Sequence, residues 1–314
     1  MKIFDMHADI GMDVADKRKS GEKDILAKYH LPKFEEGEIG FINMACFFDG
    51  KETLDDALFM LSSLREEIDL NHERIHLSLD GSFVENKLNV IMSIEGMGFL
   101  KEGDDALAFV DTMYDYGVRL ASLCWNDQNM LATGISGDPR RGLSSLGKAV
   151  IQKMNEKKII VDISHTNEKS FYDISDVCVG AFMATHSNTR EKQNVERNLT
   201  HQQLKAIASS GGLIGLVAVK KFISSNPNRQ NAIELAQHAK AIAAVVGVDH
   251  LCIGFDYMDF LKEPFGPQSM GIDLQNATMS QNLLMALATV GFTKEEVEKI
   301  AYKNAVRFVS EQLQ

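Results

Sequence analysis

Residues 142–165 read GLSSLGKAVIQKMNEKKIIVDISH, and two different periodicities meet inside them. In the first half Leu146, Val150, Ile151 and Met154 recur at the spacing of one helical face. In the second half the run KIIVDISH is almost continuously apolar, which suits a parallel strand buried on both faces better than a solvated one. The run stops on His165. A helix feeding a buried parallel strand that ends on an imidazole is the unit from which the rest of the chain is read.

The same alternation extends in both directions. Strands are expected at Lys2–His7, Phe41–Phe48, Asn89–Glu95, Leu120–Trp125, Ile159–His165, Ala181–His186, Gly212–Val219 and Leu251–Asp256, eight in all. Helical spacing is expected over Thr53–Leu70, Asp105–Tyr116, Ser144–Glu156, Asn167–Ser175, Thr200–Ser209 and Ala232–Val246, with a C-terminal pair near Leu274–Val290 and Thr293–Glu311. Thr53 and Thr200 stand where N-caps belong. Eight βα units predict a (β/α)8 TIM barrel of the metal-dependent hydrolase type. No strand is followed by GxGxxG or a P-loop, the usual markers of the competing open doubly wound sheet. With no linker in view, residues 1–314 are expected to form one catalytic domain.

Composition narrows the partners. Of the 314 residues 45% are hydrophobic and 25% charged, and only 5 are proline, as in a globular protein with a large core. A net charge of -11 opposes binding to a polyanion, so nucleic acid is not an expected partner. Asp5, His7 and Asp9 interrupt the N-terminus where a secretory signal needs an apolar stretch, and no run approaches a membrane span. A cytoplasmic protein without membrane association is therefore expected. Cys46, Cys124, Cys178 and Cys252 form no CxxC pair and read as reduced thiols.

The candidate ligands all fall at the expected strand ends: His7 and Asp9 at the first, Glu95 at the third, His165 at the fifth, His186 at the sixth and Asp256 at the eighth. Strand C-termini of a barrel converge on one face, and active sites of this fold lie there. Three imidazoles with two or three carboxylates suit Zn²⁺, and two ions sharing a carboxylate can hold a hydroxide and polarise a carbonyl. The remaining histidines, His30, His72, His76, His201, His238 and His250, lie in helical or loop segments and receive no role.

FDMHADIG, MSIEGMG, GVRLASLCWN, the run ending in VDISH, ATHSNTR, RNLTHQQLKAIASSGGLIGL and IGFDYMD together resemble the membrane (renal) dipeptidase-like metallopeptidases along nearly the whole chain. That resemblance implies two zinc ions, with His7 and Asp9 on one, His165 and His186 on the other, and Glu95 bridging. It further implies that Asp256 handles protons, that Arg197 grips the carboxylate of a dipeptide substrate, and that the protein is a homodimer. A guanidinium fork is a natural partner for a carboxylate.

Three positions depart from the pattern. Trp125 stands where animal members carry a histidine that contacts the tetrahedral intermediate, and an indole N–H can donate but carries no charge. The end of the eighth strand reads GFDYMD rather than GxDFDG, and VAVKKF places Lys220 and Lys221 where many relatives carry a tyrosine. These two lysines predict an acidic or compact polar second residue in the substrate. The expected activity is hydrolysis of free dipeptides, L,D-dipeptides included, through a metal-bridged hydroxide. The rival readings are a barrel amidohydrolase acting on a cyclic amide, lactone or phosphoester, and a non-catalytic metal-binding protein.

Overall fold

Apolar runs without in-out alternation must be covered on both faces, and the chain meets that demand with a closed ring of parallel strands inside a shell of helices. The computed structural model describes residues 1–261 and 265–314. Its strands are β1 (Ile3–Ala8), β2 (Ile39–Phe47), β3 (Ile75–Leu77), β4 (Leu88–Glu95), β5 (Val118–Ala121), β6 (Ile160–Asp162), β7 (Phe182–Met183), β8 (Ile214–Leu216) and β9 (Leu251–Ile253). They pair in parallel in the order β7-β6-β5-β4-β2-β1-β9-β8, and a bridge between Ala184 and Ile214 joins the two ends of that order. This is a (β/α)8 barrel of eight strands. β3 is an addition that the apolar pattern did not announce: it pairs with Leu88–Val90, sharing an edge of β4 that β5 takes over from Met92.

Two buried polar side chains hold β1 to its neighbours on either side. The buried Asp5 carboxylate accepts the Phe255 N–H at 2.9 Å and the His7 N–H at 3.2 Å, which fastens β1 to the exit of β9. Burial is the main force on that carboxyl and lifts it to about 7, against the two N–H bonds. Asn43 on β2 donates to the Met6 carbonyl at 2.9 Å on the other side of β1.

Phe4, Met6, Phe41, Ile91, Leu120, Ile160, Met183, Leu213 and Cys252 form one cluster with Phe308, Val309 and Leu313. Residues from seven strands of a ring, with Leu213 at the entry to the eighth, can meet only on its axis, so this cluster fills the barrel, and the C-terminal helix Asn304–Leu313 stops its lower end. A larger, separate cluster lies between strands and helices. The expected caps are present: Thr53 and Thr200 each complete a capping box, with Asp56 and Gln203. The helix Ile10–Lys19 was not among the expected elements, because its apolar residues are few and Asp9 caps it with no side-chain bond.

Strand ends differ from expectation in a way that matters. β6, β7 and β9 stop at Asp162, Met183 and Ile253, so His165, His186 and Asp256 each lie three residues beyond a strand rather than closing it. Trp125 likewise lies past β5, which ends at Ala121. The backbone turns there: His165 has φ +70 and Asp256 φ +61, the left-handed region that L-residues with a Cβ avoid.

Candidate active site

The site is built on Glu95, the last residue of β4, which is 3% exposed. Its Oε2 lies 3.3 Å from His7 Nε2, and its Oε1 lies 2.8 Å from His165 Nε2 and 3.3 Å from His186 Nε2. Asp9 adds Oδ1 at 3.4 Å from His7 Nε2. The His7 and His186 rings stack at 3.7 Å between centroids, and the His165 and His186 Nε2 atoms approach to 2.9 Å. Ligand-capable atoms of Glu95, His165 and His186 lie within 4.8 Å of one another, as do those of His7, Asp9 and Asp256, and those of His7, Asp162 and His186. The five residues expected as ligands are thus brought together, and Asp256 stands against the His7 and Asp9 half.

Whether this cluster suits divalent cations can be judged from its donors. His7 Nε2, Asp9 Oδ1 and Glu95 Oε1 are buried and, though close to one another or to His165, form no well-directed hydrogen bond with the described residues, a costly arrangement for protein atoms alone. His165 Nδ1 has Asn126 Oδ1 at 2.7 Å as an acceptor, so its Nε2 lone pair faces inward. A convergence of imidazole lone pairs and carboxylate oxygens is the donor set of Zn²⁺ and similar metals. The residues present fit such ions.

Electrostatics favour neutral imidazoles at His165 and His186 and an ionised carboxylate at Glu95. Burial, then the Arg197 charge, pulls His165 down to about 4. Burial, then His7 and Arg197, holds His186 well below its usual value. Glu95 is held well below the carboxylate range despite burial, because His7 and His165 flank it. Burial opposes the proton on His7, yet Glu95 and Asp9 together raise it well above the ordinary imidazole value. Asp9 is lifted to about 6 by burial and Glu95, and Asp256 is pushed well above the usual range by burial and by Asp9 and Glu95, against His7 and Arg197. Cations here would favour the ionised form of each carboxylate.

A cavity of about 660 Å³ opens over the cluster, lined by Asp9, Glu95, His165 and Asp256 on its polar side. Its other walls are mainly apolar, with Phe47, Trp125, Ile135, Phe222, Met258 and Leu261 prominent. That volume suits a small molecule. The loop after β5 carries Trp125, Asn126 and Ile135 to the wall and is held there by the Ile135 N–H donating to the His165 carbonyl at 3.0 Å. Trp125 meets Phe47 edge-on at 5.1 Å and lies 5.9 Å from the His165 ring.

The other expected site residues are placed less simply. Arg197 is 4% exposed and is not among the residues that line the cavity; it donates to Ser187 Oγ at 2.7 Å and to the His186 carbonyl at 2.9 Å, while its Nε has no partner among the described residues. Lys220 and Lys221 do line the cavity. The Lys220 ammonium donates to the Gln268 carbonyl at 2.8 Å, and that of Lys221 lies 5.1 Å from the Phe222 ring centroid.

Asn126, Thr185 and Asp162 were missed from sequence. Asp162 carried a readable signal, an acid inside the apolar run KIIVDISH, since such a residue is buried only with partners. Asn126 and Thr185 carried none.

The sequence model of the membrane dipeptidase family, peptidase family M19, matches residues 1–314. An uncharacterized Klebsiella pneumoniae protein is 30% identical over 262 residues, covering 79% of this chain and 92% of that one. An uncharacterized dipeptidase of Schizosaccharomyces pombe is 25% identical over 339 residues, covering 98% of this chain and 79% of that one. Among solved structures, a metallopeptidase from Rhodobacter sphaeroides liganded with a phosphinate mimic of L-Ala-D-Ala superposes with a TM-score of 0.85 at 21% identity, covering 100% of this chain and 99% of that one. Its likeness is one of fold.

Proposed function

The chain belongs to the membrane dipeptidase family, peptidase family M19, and from that premise we propose that it hydrolyses free dipeptides at the cavity above Glu95, with two Zn²⁺ ions as cofactors. It is a metal-dependent dipeptidase, and the observation that carries the assignment of the site is the division of labour at Glu95. One carboxylate oxygen faces His7 and the other faces His165 and His186, the arrangement a bridging ligand requires. His7 and Asp9 would hold one ion, His165 and His186 the other. When bound, the ions supply Lewis acidity at the scissile carbonyl and lower the pKa of water.

The chain's own residues do the rest. Asp256, on the cavity wall beside His7 and Asp9, accepts a proton at its carboxylate from the attacking water and returns one to the departing amine. Arg197 lies just behind the wall with its Nε–H unpaired among the described residues, and in this reading it draws a substrate carboxylate toward the His186 side. A single charge clamp near the scissile bond selects dipeptides over longer peptides. The apolar walls exclude water and favour apolar side chains, so the acidic preference expected from Lys220 and Lys221 gives way: one ammonium is engaged by Gln268 and the other rides on Phe222.

Among the described residues no helix is long and apolar enough to cross a membrane. Cytoplasmic residence is part of the proposal, supported by the four unpaired cysteines, as is a homodimer, which sedimentation would test. The deciding experiment for function is a panel of L,L and L,D dipeptides assayed with metal-analysed enzyme. Turnover of dipeptides in proportion to bound zinc is expected. Metal uptake with no turnover across the panel would overturn the reading.

A further inference from the structure

Beneath the ligand cluster one hydroxyl stands among three groups. Thr185 Oγ1 lies 2.6 Å from Asp162 Oδ2, 2.7 Å from His186 Nδ1 and 3.3 Å from His7 Nδ1. Asp162 Oδ1 accepts the backbone N–H groups of Ser164 at 2.9 Å and Thr185 at 3.0 Å. All of these atoms are buried: Asp162 is 2% exposed, Thr185 0% and His186 1%. Ser164 Oγ also lies 3.3 Å from the hydroxyl.

We propose that Asp162 and Thr185 act as a positioning relay that fixes the proton of His186 on Nδ1, so that its Nε2 lone pair is presented to the metal cluster. The direction follows from counting protons. A carboxylate only accepts, so the hydroxyl proton of Thr185 goes to Asp162 Oδ2. The hydroxyl oxygen then has lone pairs alone to offer the imidazoles, and it can satisfy His186 only if Nδ1 carries the ring proton. His7, more distant at 3.3 Å, shares the same hydroxyl and is biased the same way. The two histidines are assigned to different ions in the function proposed above, on which this inference rests for its consequence, so one hydroxyl reaches both halves of the site.

The backbone keeps the hydroxyl in register. A Cβ at Gly215 or Gly254 would stand 1.8 Å or 1.9 Å from the Thr185 carbonyl oxygen, so the strands on that side close directly on Thr185 and allow it no lateral shift. Partners of this kind that orient metal-bound imidazoles are typically worth ~10–100-fold in metal affinity.

Asp162→Asn tests the relay without deleting an atom. The amide nitrogen cannot sit at the Oδ1 position, where it would meet the N–H groups of Ser164 and Thr185, so it must face Thr185 Oγ1 and donate to it. The hydroxyl proton is thereby turned toward His186 Nδ1, and the ring proton moves to Nε2, the atom needed for the ion. Two readouts are taken at one pH. In metal-free protein, ring ¹⁵N shifts of His186 should report Nδ1–H in the parent and in Thr185→Ser, and Nε2–H in Asp162→Asn. Zinc competition against a chelator should show affinity lowered ~10–100-fold in Asp162→Asn and Thr185→Val, and kept within ~3-fold of the parent in Thr185→Ser. An Nε2–H imidazole in the parent, or zinc held as tightly by Asp162→Asn as by the parent, would overturn the relay. Equal losses in Thr185→Ser and Thr185→Val would also do so, by assigning the effect to packing. Nδ1–H in the parent together with no zinc uptake would uphold the tautomer and sink the metal reading instead.

Discussion

Asparagine at position 256 separates chemistry from architecture more cleanly than any other single change. Asp256 is 6% exposed, sits at φ +61 and receives no side-chain hydrogen bond from the described residues. Asparagine is one of the few residues that tolerate this left-handed backbone, and it has the same shape, so the fold should lose nothing. The Asp256 N–H still donates to the His7 carbonyl at 3.1 Å, which keeps the loop on β1. Among the described residues the other carboxylates of the cavity wall are engaged: Asp9 and Glu95 face His7 Nε2 at 3.4 Å and 3.3 Å, and Asp49 is paired with Lys51. Turnover should therefore fall by the full worth of a positioned general base, ~10²–10⁴-fold, or ~2.7–5.4 kcal/mol in the barrier. The assay is initial-rate dipeptide hydrolysis on enzyme whose zinc content and Tm are measured in the same preparation. Zinc content and Tm should match the parent within error, with KM changed less than kcat. A folded, zinc-loaded Asp256→Asn enzyme at near-parent turnover would refute the proton-transfer role.

Ala-Leu should be cleaved with a kcat/KM about tenfold above that of Ala-Asp, because an apolar wall discriminates by ~1–3 kcal/mol for modest differences in side chain; an advantage for Ala-Asp would restore the lysines as specificity determinants. Phe308→Ala removes a fully buried ring from the stopper of the barrel and should lower stability in urea titrations by ~3–5 kcal/mol while the metal-loaded enzyme keeps its kcat. Asp13 is buried against His30 at 2.8 Å and paired with Lys17, and these bonds outweigh burial and lower its pKa. A carboxyl whose folded pKa is depressed adds stability above its unfolded pKa of about 3.9 and loses it as pH falls through the folded value. Asp13→Asn should thus lower Tm at pH 7, with the gap from the parent narrowing below about pH 4. A gap that stays constant to pH 3 would contradict that linkage.

The barrel was legible because its strands are buried on both faces, so IIVDI and LCIGF stand out as apolar runs whatever their neighbours. The convergence of His7, Asp9, Glu95, His165 and His186 was legible because a barrel converts the ends of distant strands into neighbours. The exact posture of the site was not. That His165 and Asp256 lie beyond their strands with a left-handed backbone depends on tertiary contacts that no local pattern encodes. β3 is a strand of three residues between polar turns, too short for any period to show. Arg197 was named for its chemistry, but its burial behind the wall, braced by Ser187 and the His186 carbonyl, follows from packing alone. Thr185 and Asn126 matter for where one oxygen atom falls, and composition is silent on that.

The fastening of Asp5 to Phe255 has a consequence for how the molecule comes into being. β1 is made well before its last partner: one of its buried carboxylate's two backbone donors is synthesised 250 residues later. Until then β1 can pair only through β2, with an edge open and an acid lacking its later partner. Ribosomes add roughly 5–20 residues per second, so that edge stays open for on the order of ten seconds or more. During this interval the nascent chain presents an unpaired strand beside a half-built apolar axis, the kind of surface that chaperones hold. A ribosome-bound chain ending before Leu251 should accordingly remain protease-sensitive across β1, and addition of residues 251–314 should convert it to the resistant state in one step.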